Sequence, residues 1–266
     1  MVLGDANQPG MGTEEIMMSS LLNTPCNNWL DEVVAAVSVA PYYRDDAVVI
    51  FNADCKEIVS QMPKACLLLT DPPYGIGVDR TMAKDGGTQR GKSAAAKRHY
   101  EASGWDDATP PRWLLDMLRD HAEKSIVWGG NYFELPPARG WLVWDKMNGD
   151  TAFADCELAW TSLDIAVRKR EHLWNGMLRA GKEERCHPTQ KPLAIMLWCI
   201  GLAGDVQTIL DPFAGSGTTG RAAKDLGRKA VLIEMNEAYC EISARRMQQE
   251  VLPLYTGNAL DMCHEL

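Results

Sequence analysis

The sequence predicts an α/β protein built on an open, largely parallel sheet with helices on both faces. Three observations predict it. Short apolar runs such as Ala65–Thr70 alternate with amphipathic, helix-like stretches, which is the pattern of strand–helix–strand units. The run ending at Asp211 passes through Pro212-Phe213-Ala214-Gly215-Ser216-Gly217-Thr218-Thr219-Gly220 into a helix, then into a second strand-like run, Lys229 to Ile233, closed by Glu234. That is a β-α-β nucleotide-binding unit. Finally, Ala65–Thr70 stops at Asp71-Pro72-Pro73-Tyr74. Two prolines cannot continue a central strand, so a carboxylate and an aromatic ring sit on a stiff corner at a strand's carboxyl end, where open α/β sheets bind ligands.

The elements before and after these anchors read as follows. Met1 to Gly12 is expected to be disordered, and Thr13 to Leu22 and Trp29 to Val39 have helical periodicity. Asp46 to Asn52 is β-branched and strand-like, and Cys55 to Gln61 is a short helix. After Tyr74 comes a long Gly-, Ala- and Lys/Arg-containing stretch to Gly104, and loops of that length are functional or disordered. Asp107 to His121 reads as a helix with Pro110 and Pro111 in its first turn. Ser125 to Trp128, Trp141 to Trp144 and Ala154 to Thr161 read as strands, and Pro192 to Leu202 as an apolar helix. Gly227 ends the helix that follows the glycine turn. The division expected is an N-terminal extension, 1–41, and a single domain, 42–266.

Composition narrows the class. The 266 residues are 46% hydrophobic and 24% charged, ordinary for a globular domain with a full core. No signal-peptide core or membrane-length apolar run is visible, so a cytoplasmic protein without a membrane partner is expected. Eight cysteines lack any C-x-x-C spacing and read as small hydrophobes in a reducing compartment, with no metal site. The net charge of −9 is unevenly spread. Arg80, Lys84, Arg90, Lys92, Lys97 and Arg98 face only Asp85 between positions 80 and 98. Between 165 and 186, Arg168, Lys169, Arg170, Arg179, Lys182 and Arg185 outnumber three glutamates. Basic segments on an acidic body can contact phosphates, although charge runs are more often solvated loops.

The Asp71 corner suits a difficult reaction. An exocyclic base amine is a poor nucleophile because its lone pair is delocalised into the ring. Asp71 and the Pro72 carbonyl could accept its two N–H bonds and localise that lone pair, while Tyr74 could stack on a base taken out of the duplex. The glycine turn admits two readings. Gly215, Gly217 and Gly220 fit the dinucleotide spacing, with Glu234 placed for ribose hydroxyls. However, Asp211 would repel a pyrophosphate, and three residues separate strand from glycines, which moves the balance toward a phosphate-free adenosine ligand. A P-loop lacks its lysine. His187-Pro188-Thr189-Gln190-Lys191-Pro192 is a stiff loop before a helix, a weak signal alone.

Together these residues resemble the β-class amino-group DNA methyltransferases. In that permuted class the Asp-Pro-Pro-Tyr motif precedes the Phe-x-Gly-x-Gly motif, as here, and His187–Pro192 followed by Asp211–Thr219 resembles the family closely. Asn52-Ala53-Asp54-Cys55, Trp128–Phe133, Trp141–Lys146 and Cys156–Trp160 are weaker matches. The resemblance implies a Rossmann-like fold of seven mostly parallel strands, S-adenosylmethionine as methyl donor without a metal, and duplex DNA as substrate. It implies that Asp71, Pro72, Pro73 and Tyr74 hold the target base. Cofactor contacts are implied for Asp54, Asp71, Thr189, Lys191, Asp211, Phe213, Gly215, Ser216, Gly217, Thr218, Glu234 and Met235. Among them, Asp54 lies near the adenine, Glu234 takes the ribose, and Thr189, Lys191 and Thr218 face the methionine end. Asp261, in a second strand-plus-Asn-Ala signal at 255–261, is the alternative to Asp54.

The departure from the family is its recognition region, only 25 residues from Ser162 to Cys186. Sequence specificity must then be low, or be read by the 75–104 loop or by a partner subunit, and a homodimer is admitted. DNA contacts are expected from the six basic residues of that loop and from Arg168, Lys169 and Arg170. No nuclease motif is visible, so a stand-alone, phage-borne methyltransferase is expected rather than a fused restriction–modification enzyme. The family carries Ser more often than Asp at position 71 when cytosine N4 is the acceptor, so adenine N6 is favoured. An N4-cytosine enzyme and a DNA- or cofactor-binding protein without catalysis are the alternatives.

Overall fold

The computed structural model describes residues 28–77, 106–149, 154–175, 178–179 and 190–249. Eleven strands are described: β1 (Tyr43–Arg44), β2 (Val48–Asn52), β3 (Ala65–Thr70), β4 (Ala122–Trp128), β5 (Trp141–Asp145), β6 (Cys156–Thr161), β7 (Arg168–Glu171), β8 (Trp174–Asn175), β9 (Leu178–Arg179), β10 (Thr208–Asp211) and β11 (Lys229–Glu234). Nine form one sheet in the order β1-β2-β11-β10-β3-β4-β6-β5-β7, and β8 pairs with β9. The run β2-β11-β10-β3-β4 is parallel throughout. β6 is antiparallel to both β4 and β5. The seven strands expected are all present. The sheet also has two short edge strands, β1 of two residues and β7 of four.

β7 was expected as part of a basic recognition segment, and it is an edge strand paired in parallel with β5. Its sequence, Arg-Lys-Arg-Glu, is compatible with that place, because an edge strand faces water and charge discourages further pairing.

The helices are α1 (Trp29–Ala36), α2 (Cys55–Ile58, continued by a 3-10 turn to Gln61), α3 (Arg112–Asp120), α4 (Leu193–Ala203), α5 (Thr218–Asp225) and α6 (Glu237–Met247). Alternate residues of each strand point to opposite faces. Val48, Ile50, Leu67, Leu69, Ile126 and Ile209 pack with α4, α5 and α6. Val49, Phe51, Leu68, Val127, Leu210 and Val231 pack with α1, α2 and α3. Strands buried on both faces read as continuous apolar runs, as these do.

Several elements differ from expectation. Helix α3 begins at Arg112 rather than Asp107, because residues 106–109 instead pack and bond against the loop after β3. Pro111, extended at φ −63 and ψ 149, is its N-cap. Helix α6 was not anticipated, although Asn236 caps it by accepting from the Ala238 amide at 2.9 Å, with Glu237 in its first turn. Strand β4 starts three residues early, at Ala122. The expectations for 1–27, for the 78–105 part of the basic loop and for 255–261 lie outside the described residues.

From the adjacent strands β3 and β10 the chain winds outward in opposite directions, to β4 on one side and to β11 on the other. That is a topological switch point, and the crevice above it, at the carboxyl ends of the strands, is where such sheets place ligands.

Candidate active site

The loop after β3 is held from two sides. Asp106, 1% exposed, accepts the Tyr74 and Gly75 amides on one carboxylate oxygen at 2.8 and 2.9 Å. The Tyr74 hydroxyl folds back to donate to Asp71 Oδ1 at 2.5 Å. Lys191 Nζ, just before α4, donates to Asp71 Oδ2 at 2.5 Å and to Tyr74 Oη at 3.1 Å, and pairs with Glu157 Oε2 at 2.8 Å. Glu157 Oε1 pairs with Lys146 Nζ at 2.5 Å. Lys191 is 6% exposed and also lies 5.5 Å from the ring centroids of Tyr74 and Trp128. Burial pushes the Asp71 carboxyl above its ordinary value; Lys191 holds it back, and Glu157 adds to the rise. Burial opposes the charge of Lys191, yet the two carboxylates hold it above the usual lysine range.

The Tyr74 ring is packed as well as bonded. Tyr132 stacks on it with centroids 4.9 Å apart and planes 15° apart, and Phe133 meets it edge-on at 6.2 Å. Gly129, at φ +70, lies so close that a Cβ there would fall 2.1 Å from a ring atom.

The glycine turn after β10 is the second half of the crevice. Gly215 and Gly217 adopt φ +51 and +76, the left-handed region that glycine enters without strain. A Cβ on Gly217 would lie 2.0 Å from Ser243 Oγ. Glu234, at the end of β11, accepts the Gly215 amide at 2.8 Å and the Asn236 amide at 2.8 Å, so it fastens the turn to the start of α6. Burial raises its carboxyl above the usual range. Asp211 is buried, with oxygens taken by Thr70 Oγ1 at 2.8 Å, Thr219 Oγ1 at 2.5 Å and the Phe213 amide at 3.2 Å. Burial pushes it up to about 6 against those hydrogen bonds. It ties β3, β10 and α5 together.

A cavity of about 540 Å³ opens between the two halves. Asp71, Pro73, Gln190 and Lys191 line one side; Asp211 through Ser216, Thr218 and Thr219 line the floor; Ile233 through Asn236 and Tyr239 line the far wall. Of the cofactor residues expected, Asp71, Lys191, Asp211, Phe213, Gly215, Ser216, Thr218, Glu234 and Met235 are on this surface, and Gly217 shapes the turn behind it. Asp54 is not on it. Asp54 caps α2 through the Lys56 amide at 3.1 Å and pairs with Lys56 Nζ at 2.6 Å, while its neighbour Cys55 reaches the cavity. Thr189 and Asp261 lie outside the described residues. So do Arg80, Lys84, Arg90, Lys92, Lys97 and Arg98. Arg168, Lys169 and Arg170 stand on β7, where Lys169 is ion-paired with Asp145 at 3.0 Å and with Glu171 at 2.7 Å. Among the described residues no group of three His, Cys, Asp or Glu could hold a metal ion.

Sequence reasoning missed Asp106, Gly129, Tyr132, Lys146 and Glu157 as parts of this site. Glu157 had a readable signal: a charged residue inside the strand-like run Cys-Glu-Leu-Ala-Trp needs a partner when buried. Asp106 had none, since its bonds are to backbone amides thirty residues away.

Comparison with known proteins agrees with this architecture. Residues 141–245 match the N6_N4_Mtase family model, described as DNA methylase. The type II methyltransferase M.HinfI of Haemophilus influenzae is 23% identical over 244 residues, which is 75% of this chain and 68% of that protein. M2.DpnII of Streptococcus pneumoniae is 32% identical over 149 residues, 55% of this chain and 50% of that protein. The chain thus matches about half the length of M2.DpnII. Among solved structures, a cytosine-N4-specific PvuII DNA methyltransferase aligns over 86% of this chain and 94% of its own, at 16% identity and a TM-score of 0.50. The fold is therefore a Rossmann-like α/β fold, shared with that methyltransferase. Residues 141–245 are thus similar to the N6/N4 DNA methylase family, and the relatives named are type II methyltransferases.

Proposed function

We propose that the protein transfers a methyl group from S-adenosylmethionine to the N6 amine of adenine in duplex DNA. One observation carries the reading: the carboxylate of Asp71 and the glycine turn of β10 border the same cavity from adjacent strands, so acceptor and donor can meet across it. The match of residues 141–245 to the DNA methylase model and the type II methyltransferases among its relatives support DNA methylation.

The residues present fit the cofactor. Glu234 offers a half-buried acceptor to ribose hydroxyls, Phe213 and Met235 offer apolar surface, and the left-handed glycines let the backbone approach a ligand closely. S-adenosylmethionine supplies a methyl group already activated on a sulfonium, so the chain has to orient and polarise the amine. Asp71 does this by accepting an amine N–H; each carboxylate oxygen, although bonded to Tyr74 or Lys191, keeps a free lone pair. The Pro72 carbonyl accepts the other N–H. Tyr74 offers a ring face to an extruded base, and Gly129 and the Tyr132 stack hold that ring in place. After transfer the amine is left with one proton too many, and Asp71 is the nearest group whose burial favours taking it.

Adenine is preferred to cytosine because position 71 is Asp. The test is nucleoside mass spectrometry after incubation of the protein with duplex DNA and isotopically labelled cofactor. Labelled N6-methyladenine is the expected product. Labelled N4-methylcytosine would replace the acceptor, and no labelled base would remove the reading.

A further inference from the structure

We propose that Glu157 is a positioning residue for the methyl-accepting site, setting through Lys191 how much positive charge rests on Asp71, and that Lys146 sets Glu157 in turn. The inference rests on the methyl-transfer reading above and adds two residues to it.

The topology brings these groups together. β3, β4 and β5 present their carboxyl ends at the crevice rim, which places Asp71 and Lys146 there, just after β3 and β5. β6 runs the opposite way, so its beginning, not its end, reaches the same rim, and Glu157 is its second residue. In register Glu157 faces Trp144 on β5, and Lys146 is anchored beside it by its amide on the Asp155 carbonyl at 2.9 Å. Lys191 arrives from the start of α4. The four side chains then alternate in charge: Asp71, Lys191, Glu157, Lys146, linked at 2.5, 2.8 and 2.5 Å.

An ammonium has three donors, and Lys191 has three acceptors within reach: Asp71, Glu157 and Tyr74. It is shared. A lysine bound to Asp71 alone would neutralise the carboxylate that the amine needs. A lysine drawn wholly to Glu157 would leave Asp71 unpaired and easily protonated. Glu157 is pushed up by burial but brought down to about 2 by Lys191 and Lys146, so it stays ionised and holds its share of the lysine at all working pH values. The other titratable groups facing this row are Tyr74 and Tyr132, Asp211 at the end of β10, and Cys199 on α4. Tyr74 is raised well above its ordinary range and Cys199 is raised as well, so neither ionises near neutrality.

The two outer residues should therefore act in opposite directions. Glu157→Gln gives Lys191 to Asp71, lowers the Asp71 titration and weakens the acceptor. Lys146→Met leaves Glu157 with Lys191 as its one ion-pair partner among the described residues, draws the lysine from Asp71 and raises the Asp71 titration. Full-length wild type, Glu157→Gln, Glu157→Asp and Lys146→Met would be compared for kcat against pH on a DNA duplex, for cofactor Kd by calorimetry, and for the Asp71 carboxyl by carbon-13 NMR titration without DNA. The expected result is a fall of the Glu157→Gln acid limb and Asp71 midpoint by about one pH unit, and a rise of similar size for Lys146→Met. Glu157→Asp should recover part of the lost kcat, and cofactor Kd should be unchanged throughout. Shifts of the same sign in both variants, or lost turnover with no shift in either, overturn the proposal. If Glu157→Gln fails to fold, as judged by lost cofactor binding, Lys146→Met alone decides by its direction. The NMR titration needs no turnover, so a wild type that methylates no base would refute the proposed function and still leave the charge sharing to be judged.

Discussion

Replacing Gly129 with alanine should disable the catalytic corner while sparing the cofactor site. Gly129 sits at φ +70, and its Cβ would lie 2.1 to 2.7 Å from three atoms of the Tyr74 ring. The left-handed backbone costs an alanine roughly 1–2 kcal/mol. Restoring ordinary contact needs the ring to recede by about 1 Å, and a displacement of that size beside reacting atoms costs about 10²-fold in rate, or about 2.7 kcal/mol of barrier. Tyr74 carries Asp71 with it through their hydrogen bond. The glycine turn is on another strand and Gly129 is not on the cavity wall, so cofactor Kd should stay near the wild-type value. The assay is transfer of labelled methyl to duplex DNA under saturating cofactor, with Kd from calorimetry. Gly217→Ala is the contrasting variant: its Cβ meets Ser243, so it should lose cofactor affinity first. Turnover by Gly129→Ala within about threefold of wild type, under 1 kcal/mol of barrier, would refute the argument that this contact fixes the Tyr74 ring.

Other substitutions test separate parts of the site. Glu234→Gln should weaken cofactor binding by about tenfold or more, because the Gly215 amide and the ribose lose an anionic acceptor, whereas Asp54→Ala should cost about 1 kcal/mol of stability as a lost helix cap, with little change in cofactor Kd. Asp211 ordinarily titrates at 3.8 and is pushed up to about 6 in the fold. The folded state keeps a proton that the unfolded chain has released, so this contribution is complete below about pH 4 and is lost, by about 3 kcal/mol, as pH rises through 6. Asp211→Asn lacks that titration, and urea unfolding at stepped pH should show wild type losing stability relative to it between those limits; parallel curves would contradict the burial argument. Arg168→Ala should flatten the salt dependence of DNA binding by roughly 0.9 in log–log slope. Lys169→Ala should do less, since Lys169 is already paired with Asp145 and Glu171.

Much of the frame was legible because the buried strands are apolar on both faces and are closed by Pro, Gly or acid. Ala65–Thr70 coincides with β3 to the residue, and the helix after the glycine turn ends where Gly227 stops it, at φ +66. The parts that escaped depend on distant partners. A strand of Arg-Lys-Arg-Glu has no apolar alternation to betray it, and only the edge of β5 makes it a strand. Asp106 looks like any acid before a helix until the Tyr74 and Gly75 amides are seen on it. Lys191 was expected at the methionine end. It lines the cavity, but its bonds are to Asp71, Tyr74 and Glu157, and which carboxylates surround a lysine is decided by strand direction rather than local sequence.

The order of strands has a consequence for how the chain is made. Everything up to residue 175 supplies β1 to β8, yet β10 and β11 lie inside that set, wedged between β2 and β3. A ribosome delivers the flanks before the centre. Until the chain has emerged past Glu234, β2 and β3 have no neighbour on their inner sides, and Val48–Phe51 and Leu67–Leu69, all buried in the finished sheet, stay open to other chains. A nascent product stopped before Thr208 would hold both halves of the rift and nothing to close it. The cofactor-binding strands are thus also the keystone of assembly, and chaperone dependence during synthesis should rise as Thr161 emerges and end abruptly once β11 is out.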